Sequence, residues 1–318
     1  MNEDEIVARM RTLFSDRIGD DAAVIGDQAV TTDMLVEDVD FTRATPVASI
    51  ARKSLAVNLS DLAAVGATPE WALSALAIPQ WLMPDLDAFL TALAGAAREH
   101  RIEIAGGDLS RADKLVVAIT AAGRLAHRPL LRSGARAGDR IYLSRPVGGS
   151  TAGFRLLQQG WSPGGDPPGP VGYAQKEFAR SAIRHHLDPE PETALGIALA
   201  ALPEVSACID VSDGLALDLH RLCEASGCGA EIERERIPLF PDLLAAAAPL
   251  GIAVRDAVLY GGEEYALLFT SSLRESELSE RLRRPVYMIG RTTSGRDVLL
   301  REEGKAELLE RRGWDHFE

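Results

Sequence analysis

An α+β fold, arranged as an α/β sandwich in each of two halves, is what this sequence predicts, and three observations carry the prediction. Strand-like apolar runs are mixed with helix-period segments along the whole chain. The 318 residues are long for one core and suit two domains. The segment Arg132-Ser133-Gly134-Ala135 through Gly138-Asp139 reads as a connector, which puts a boundary near residue 136 and divides the chain into 1–136 and 137–318.

The elements follow in order. Residues 22–25, 29–32 and 34–39 read as short strands. Thr45-Pro46 opens a helix, with Thr as N-cap and Pro at the first helical position, and Gly66 stops it after about Val65. Residues 71–78 are strand-like, and 84–100 place Leu86, Phe89, Leu90 and Leu93 at helical spacing. Residues 102–105 and 115–125 are strands. In the second half a strand over 140–144 leads to a helix over 150–159, then a Gly-, Pro- and Ser-bearing loop over 160–172. Helices over 175–186 and 192–201 precede a strand at 205–209, a turn at 210–214 and a helix to about Ala225. Strands at 265–270, 286–289 and 298–300 complete the pattern.

Composition narrows the function. Aromatics make up only 5%, so Ala, Leu, Val and Ile must fill the cores. A net charge of −13 argues against nucleic acid and against an anionic membrane as partners. No run of apolar residues is long enough to span a bilayer. The acidic start, Met1 to Glu5, lacks the apolar stretch of a secretion signal. Three cysteines, Cys208, Cys223 and Cys228, form no zinc pattern and fit a reducing cytoplasm.

The chemistry is read from acids at turns. Glycine precedes an acid at Gly19-Asp20-Asp21, Gly106-Gly107-Asp108 and Gly261-Gly262-Glu263, and two further clusters are Thr31-Thr32-Asp33 and Asp210-Val211-Ser212-Asp213-Gly214. Hard cations such as Mg²⁺ take oxygen ligands and share them with substrate phosphates, so the pattern suggests phosphate chemistry run by several metal ions. Asp61 sits on an otherwise apolar helix; either it binds metal, or it bridges to Lys53 on the same face. The helix start after Gly214 either binds phosphate or is capped by Asp213. The six histidines lack metal spacing and are expected at the surface or at caps. There is no P-loop, protein-kinase signature, nucleophile elbow or zincin motif.

The stretches IGDDAAVI (18–25), TTDMLVEDVDF (31–41), KSLAVNLSDLAAVGATP (53–69), GGDLSR (106–111), RSGARAGD (132–139), IDVSDGL (209–215), YGGEEYALLFT (260–270) and GWDHF (313–317) resemble the thiamine-monophosphate kinase family in order and spacing. That family belongs to the aminoimidazole ribonucleotide synthetase superfamily of ATP-binding proteins. The resemblance implies two α/β domains, with the N-terminal one forming a β-barrel across a homodimer. It implies direct, in-line transfer of the ATP γ-phosphate to thiamine monophosphate, with no phosphoenzyme.

By the same resemblance, Asp21, Thr31, Thr32, Asp33, Asp61, Asp108, Asp210 and Asp213 match Mg²⁺ ligands. Gly107, Asp108, Arg132 and Ser212 match nucleotide contacts. Asp40, Glu263 and Trp314 match substrate contacts, although the family usually has His where Asp40 stands. The segment His186-Leu187-Asp188-Pro189-Glu190-Pro191-Glu192 also lacks two arginines common in the family. The alternatives are a superfamily relative with another acceptor and a non-catalytic nucleotide-binding homologue.

Overall fold

Two mixed sheets, each with helices packed against it, organise the protein, and the computed structural model describes residues 2–317. The first half contains α1 (Glu3–Leu13), β1 (Ala23–Ile25), β2 (Gln28–Val36), α2 (Val47–Ala64), β3 (Thr68–Ile78), α3 (Leu86–Glu99), β4 (Glu103–Arg111) and β5 (Val116–Arg124). Its sheet runs β1-β2-β5-β3-β4, with β3 and β4 parallel across the α3 crossover and the other pairs antiparallel.

The second half contains β6 (Arg140–Leu143), α4 (Gly149–Gln158), α5 (Tyr173–Leu187), α6 (Thr193–Ala200), β7 (Val205–Asp210), α7 (Leu215–Ser226), β8 (Gly229–Glu233), α8 (Leu243–Ala247) and α9 (Val254–Leu259). β9 (Leu267–Ser271), α10 (Glu275–Leu282), β10 (Tyr287–Thr293), β11 (Val298–Glu302) and β12 (Lys305–Leu308) follow. Its seven strands run β12-β11-β8-β10-β6-β9-β7. Both sheets are open among the described residues; the expected barrel is not closed within one chain.

Each sheet has its own apolar core. A third cluster joins Ala63 and Ala64 of α2 to Leu195 and Leu199 of α6 and Phe269 of β9, so α2 packs into both halves. The seam is tight: a Cβ on Gly196 would lie 1.9 Å from the Ala63 carbonyl oxygen, so only glycine lets the two backbones approach.

Several expectations change. The strands expected at 29–32 and 34–39 are one strand, because β2 pairs with β5 without interruption from Gln28 to Val36. The chain then turns through Asp38 at φ 70. Thr45 does not cap α2; its hydroxyl accepts from the Thr42 amide, and Pro46 occupies the cap position without a side-chain bond. The helix expected from Pro84 begins at Leu86, after a 3₁₀ segment over Gln80–Asp85. GGD is not a turn. Gly106, Gly107 and Asp108 lie inside β4, an edge strand on which every residue but Ile104 is exposed.

Candidate active site

Helix α2 is almost wholly buried, yet it carries Lys53, Asn58, Ser60 and Asp61. Buried polar groups need partners, and the partners come from both halves. Asp61 Oδ2 accepts from the Thr31 hydroxyl at 2.5 Å. The Ser60 hydroxyl donates to Asp210 Oδ2 at 2.5 Å. The Asn58 side-chain oxygen accepts from the Asp33 amide at 3.0 Å. Alternation along β2 sends Thr31 and Asp33 toward α2 and leaves Thr32 on the opposite, exposed face.

At this junction one carboxylate oxygen each from Asp21, Asp61 and Asp210 lies within 4.8 Å of the others. Arg132 reaches only Asp21, its Nη2 2.7 Å from Oδ1, while its amide donates to Asp20 at 2.7 Å. The second oxygen of Asp21 is buried and has no protein partner. Burial and mutual repulsion push these acids up. Asp61 rises well above the usual carboxylate range through burial, then Asp33, Asp210 and Asp21. Asp210 does so through burial and then Asp21. Asp33 is pushed up to about 6 by burial, then by Asp213 and Asp40. An all-oxygen, anion-rich set with an unpartnered buried oxygen fits a hard divalent cation.

A second cluster lies at the start of α7. The Asp213 carboxylate does not cap that helix; Asp218 Oδ2 accepts from the amides of Asp213 and Gly214, both at 3.1 Å. Arg221 pairs with Asp213, with Asp218 at 3.2 Å, and with Asp4 of α1 at 3.3 Å. The acid pair is nonetheless crowded, and Asp218 is pushed up to about 7 by burial and then by Asp213.

The third part is the GGEEY turn. Glu263 adopts left-handed backbone, φ 61, and its amide donates to the Ser212 carbonyl at 2.6 Å. A Cβ on Gly262 would sit 2.5 Å from that same carbonyl, so the turn presses backbone to backbone on the Asp210–Gly214 turn. The Lys53 ammonium lies 2.5 Å from Glu263 Oε1, and His186 Nδ1 lies 3.2 Å from Oε2. Thus Lys53 does not bridge to Asp61, and His186 is buried rather than at the surface. Asp40 Oδ2 accepts from the Val36 amide at 2.7 Å. Trp314 is anchored by its amide to the Asp213 carbonyl at 2.8 Å, with its ring half exposed.

Gly107 and Asp108 stand apart. Asp108 is in register with Ala75, Ala118 and Met34 across the sheet, on the face away from Asp33. They border an apolar groove of about 440 Å³ walled in part by Leu76, Leu90 and Leu93. Sequence reading missed Ser60, Asp218, Arg221 and His186. The signal for Asp218 and Arg221 was their helical spacing of three, one turn after Asp213.

The class comes first. Residues 19–125 match the AIR synthase related protein N-terminal domain, and residues 136–302 match its C-terminal domain. A chain from a HypE–HypF complex shares this fold at TM-score 0.75 and 19% identity, covering 96% of this chain and 98% of that one. The relatives are more specific. Thiamine-monophosphate kinase of Salmonella typhimurium is 35% identical over 94% of this chain and 91% of its own length. That of Bacillus subtilis is 32% identical over 94% and 93%. The solved structure "AaThiL complexed with AMPPCP and TMP" superposes at TM-score 0.86 with 30% identity, covering 99% of this chain and 97% of that one. This chain belongs to the thiamine-monophosphate kinase family.

Proposed function

We propose that this protein transfers the γ-phosphoryl group of ATP directly, in line, to the phosphate of thiamine monophosphate, giving thiamine diphosphate. The observation that carries the reading is the convergence of Asp21, Asp61 and Asp210 with a buried, unpartnered oxygen, in a chain related end to end to thiamine-monophosphate kinases. Phosphoryl transfer needs positioning and charge neutralisation more than covalent chemistry.

Several Mg²⁺ ions are the cations this donor set favours, and when bound they supply neutralisation of the repulsion between two anionic reactants. Asp21, Thr31, Asp33, Asp61, Asp210 and Asp213 are proposed to hold them within one subunit, and Thr32 and Asp108, on the opposite face of the sheet, across the dimer. Ser60 and Thr31 aim the carboxylates by donating hydroxyl protons to them. Gly107, Asp108, Arg132 and Ser212 are proposed nucleotide contacts. Asp40, Glu263 and Trp314 are proposed to face the thiamine moiety, whose cationic ring suits an aromatic face and carboxylates.

The working unit is proposed to be a homodimer whose N-terminal sheets form a barrel. Its support is the open sheet face, where Met34 and Leu73 are exposed, and the uncovered edge strand β4. A second copy on that face would let the partner subunit bring its GGD strand to this site, which explains why Asp108 lies apart from the other acids. The division of labour is 1–136 for ATP, metal and dimerisation and 137–318 for completing the site, in a cytoplasmic enzyme. Among the described residues no helix is long and apolar enough to cross a membrane.

The test is a product assay with ATP, Mg²⁺ and thiamine monophosphate, with free thiamine as control acceptor. Thiamine diphosphate formed only from the monophosphate is the expected result. No product with ATP still bound would reassign the acceptor.

A further inference from the structure

We infer that Lys53 is a positioning residue that holds the Glu263 carboxylate as a fixed hydrogen-bond acceptor for the thiamine moiety; this rests on the proposed role of Glu263 as a substrate contact. Lys53 is only 4% exposed, and the one carboxylate within salt-bridge distance of it among the described residues is Glu263. A buried ion pair is weak support for stability, since apolar residues of the same volume would serve as well. Its value lies in what it does to Glu263.

Burial alone would raise that carboxyl, but Lys53 and then His186 hold it below the usual carboxylate range. Glu263 therefore stays ionised while its charge is largely balanced from within the protein. A carboxylate offers about four lone-pair sites. Lys53 takes one on Oε1, which leaves most of the acceptor capacity of Glu263, itself partly exposed, for a substrate. The His186 imidazole is kept neutral, at about 3, by burial and then by Lys53. Its Nδ1 lies 3.2 Å from Glu263 Oε2, beside the carboxylate without a hydrogen bond to it. The Ser150 hydroxyl, 3.0 Å from the same nitrogen, fixes the ring.

Helix α2 then acts as a ruler. Lys53 and Asp61 are eight residues apart on one rigid helix, about 12 Å of rise. One end of the helix fixes the acceptor for the ring system and the other fixes the cation ligands for the phosphate. Balanced by Lys53, Glu263 reads the N–H donors of the substrate more than its positive charge.

The experiment measures KM for thiamine monophosphate, KM for ATP and kcat in the full-length protein. The variants are Lys53→Met, Lys53→Arg, Glu263→Gln and the Lys53→Met/Glu263→Gln double. Lys53→Met should raise KM for thiamine monophosphate about ten- to a hundredfold, the loss expected of one charge-assisted hydrogen bond, with KM for ATP near wild type in the folded variant. Lys53→Arg should recover most of the loss. On the Glu263→Gln background Lys53→Met should add little, because both act through one carboxylate. Independent, multiplying effects, or equal rises in both KM values, would overturn the inference. A normal KM in Lys53→Met beside a raised one in Glu263→Gln overturns the role of Lys53 alone. A normal KM in Glu263→Gln overturns the assignment of Glu263 and the inference with it.

Discussion

Two acidic clusters meet at the Asp210–Gly214 turn and are compensated in opposite ways. On the α7 side, Asp213 and Asp218 face Arg221, which also ties in Asp4 from α1. On the α2 side, among the described residues, Asp61 and Asp210 receive only hydroxyl donors, from Thr31 and Ser60, and the guanidinium of Arg132 pairs with Asp21 alone. The sequence looks equally acidic in both places. The difference teaches that Arg221 lets its cluster tie elements together whether or not a metal is held at Asp213, whereas a cluster supplied with hydroxyls depends on a cation from outside.

The strongest way to break this contrast is to remove charge on the α2 side. Asp61→Asn or Asp210→Asn should cut turnover about a hundredfold or more, the scale of losing one preorganised electrostatic group. Both variants should keep the unfolding midpoint of the metal-free protein, since repulsion is relieved. Wild-type rates in both would sink the assignment. On the α7 side the same logic gives the opposite phenotype. Arg221→Met should destabilise by about 3 kcal/mol, the cost of stripping the partner from a largely buried ion pair. Urea unfolding reads this directly, and an unchanged midpoint would refute the structural role.

A titration sharpens the contrast further. Asp33 titrates at about 6 and Asp218 at about 7 in the folded protein, against 3.8 ordinarily. Such groups bind more protons folded than unfolded, so their contribution to metal-free stability is largest at acid pH. It should fall as pH rises from about 4 to 7. Mg²⁺ displaces the Asp33 proton, so the stabilisation it gives should grow with pH over the same window. Thermal unfolding with and without Mg²⁺ tests it, and a flat difference across that window would count against the site. The smallest effect is expected at Asp40. Asp40→His should keep or improve activity, and a large loss in steady-state rates would give the Asp40 carboxylate a substrate role of its own.

Much of this was legible in the sequence. Residues 205–209, the Asp210–Gly214 turn and the helix after it appear where the apolar run, the acids and the glycine place them. The acids of α2 and β2 were recognisable because charge in an apolar segment needs an explanation. What stayed hidden was pairing between distant segments. The Ser60–Asp210 contact spans 150 residues, and nothing in a helical pattern says that a serine serves another domain. Lys53 is an example of local logic failing: helix spacing pointed it at Asp61, but its charge is satisfied by a turn far along the chain. The position of Asp108 misled for another reason, since Gly-Gly reads as a turn and here belongs to an uncovered edge strand.

The glycine seam between α2 and α6 has a kinetic meaning. With Gly196 packed against the Ala63 carbonyl, no layer of side chains can re-sort to let the two halves slide. The amides of Ala63 and Ala64 should therefore exchange with solvent only when the protein unfolds globally. The two walls of the site are set at the moment of folding. Ordering of the reactants then falls to segments outside that seam, such as the tail bearing the half-exposed Trp314.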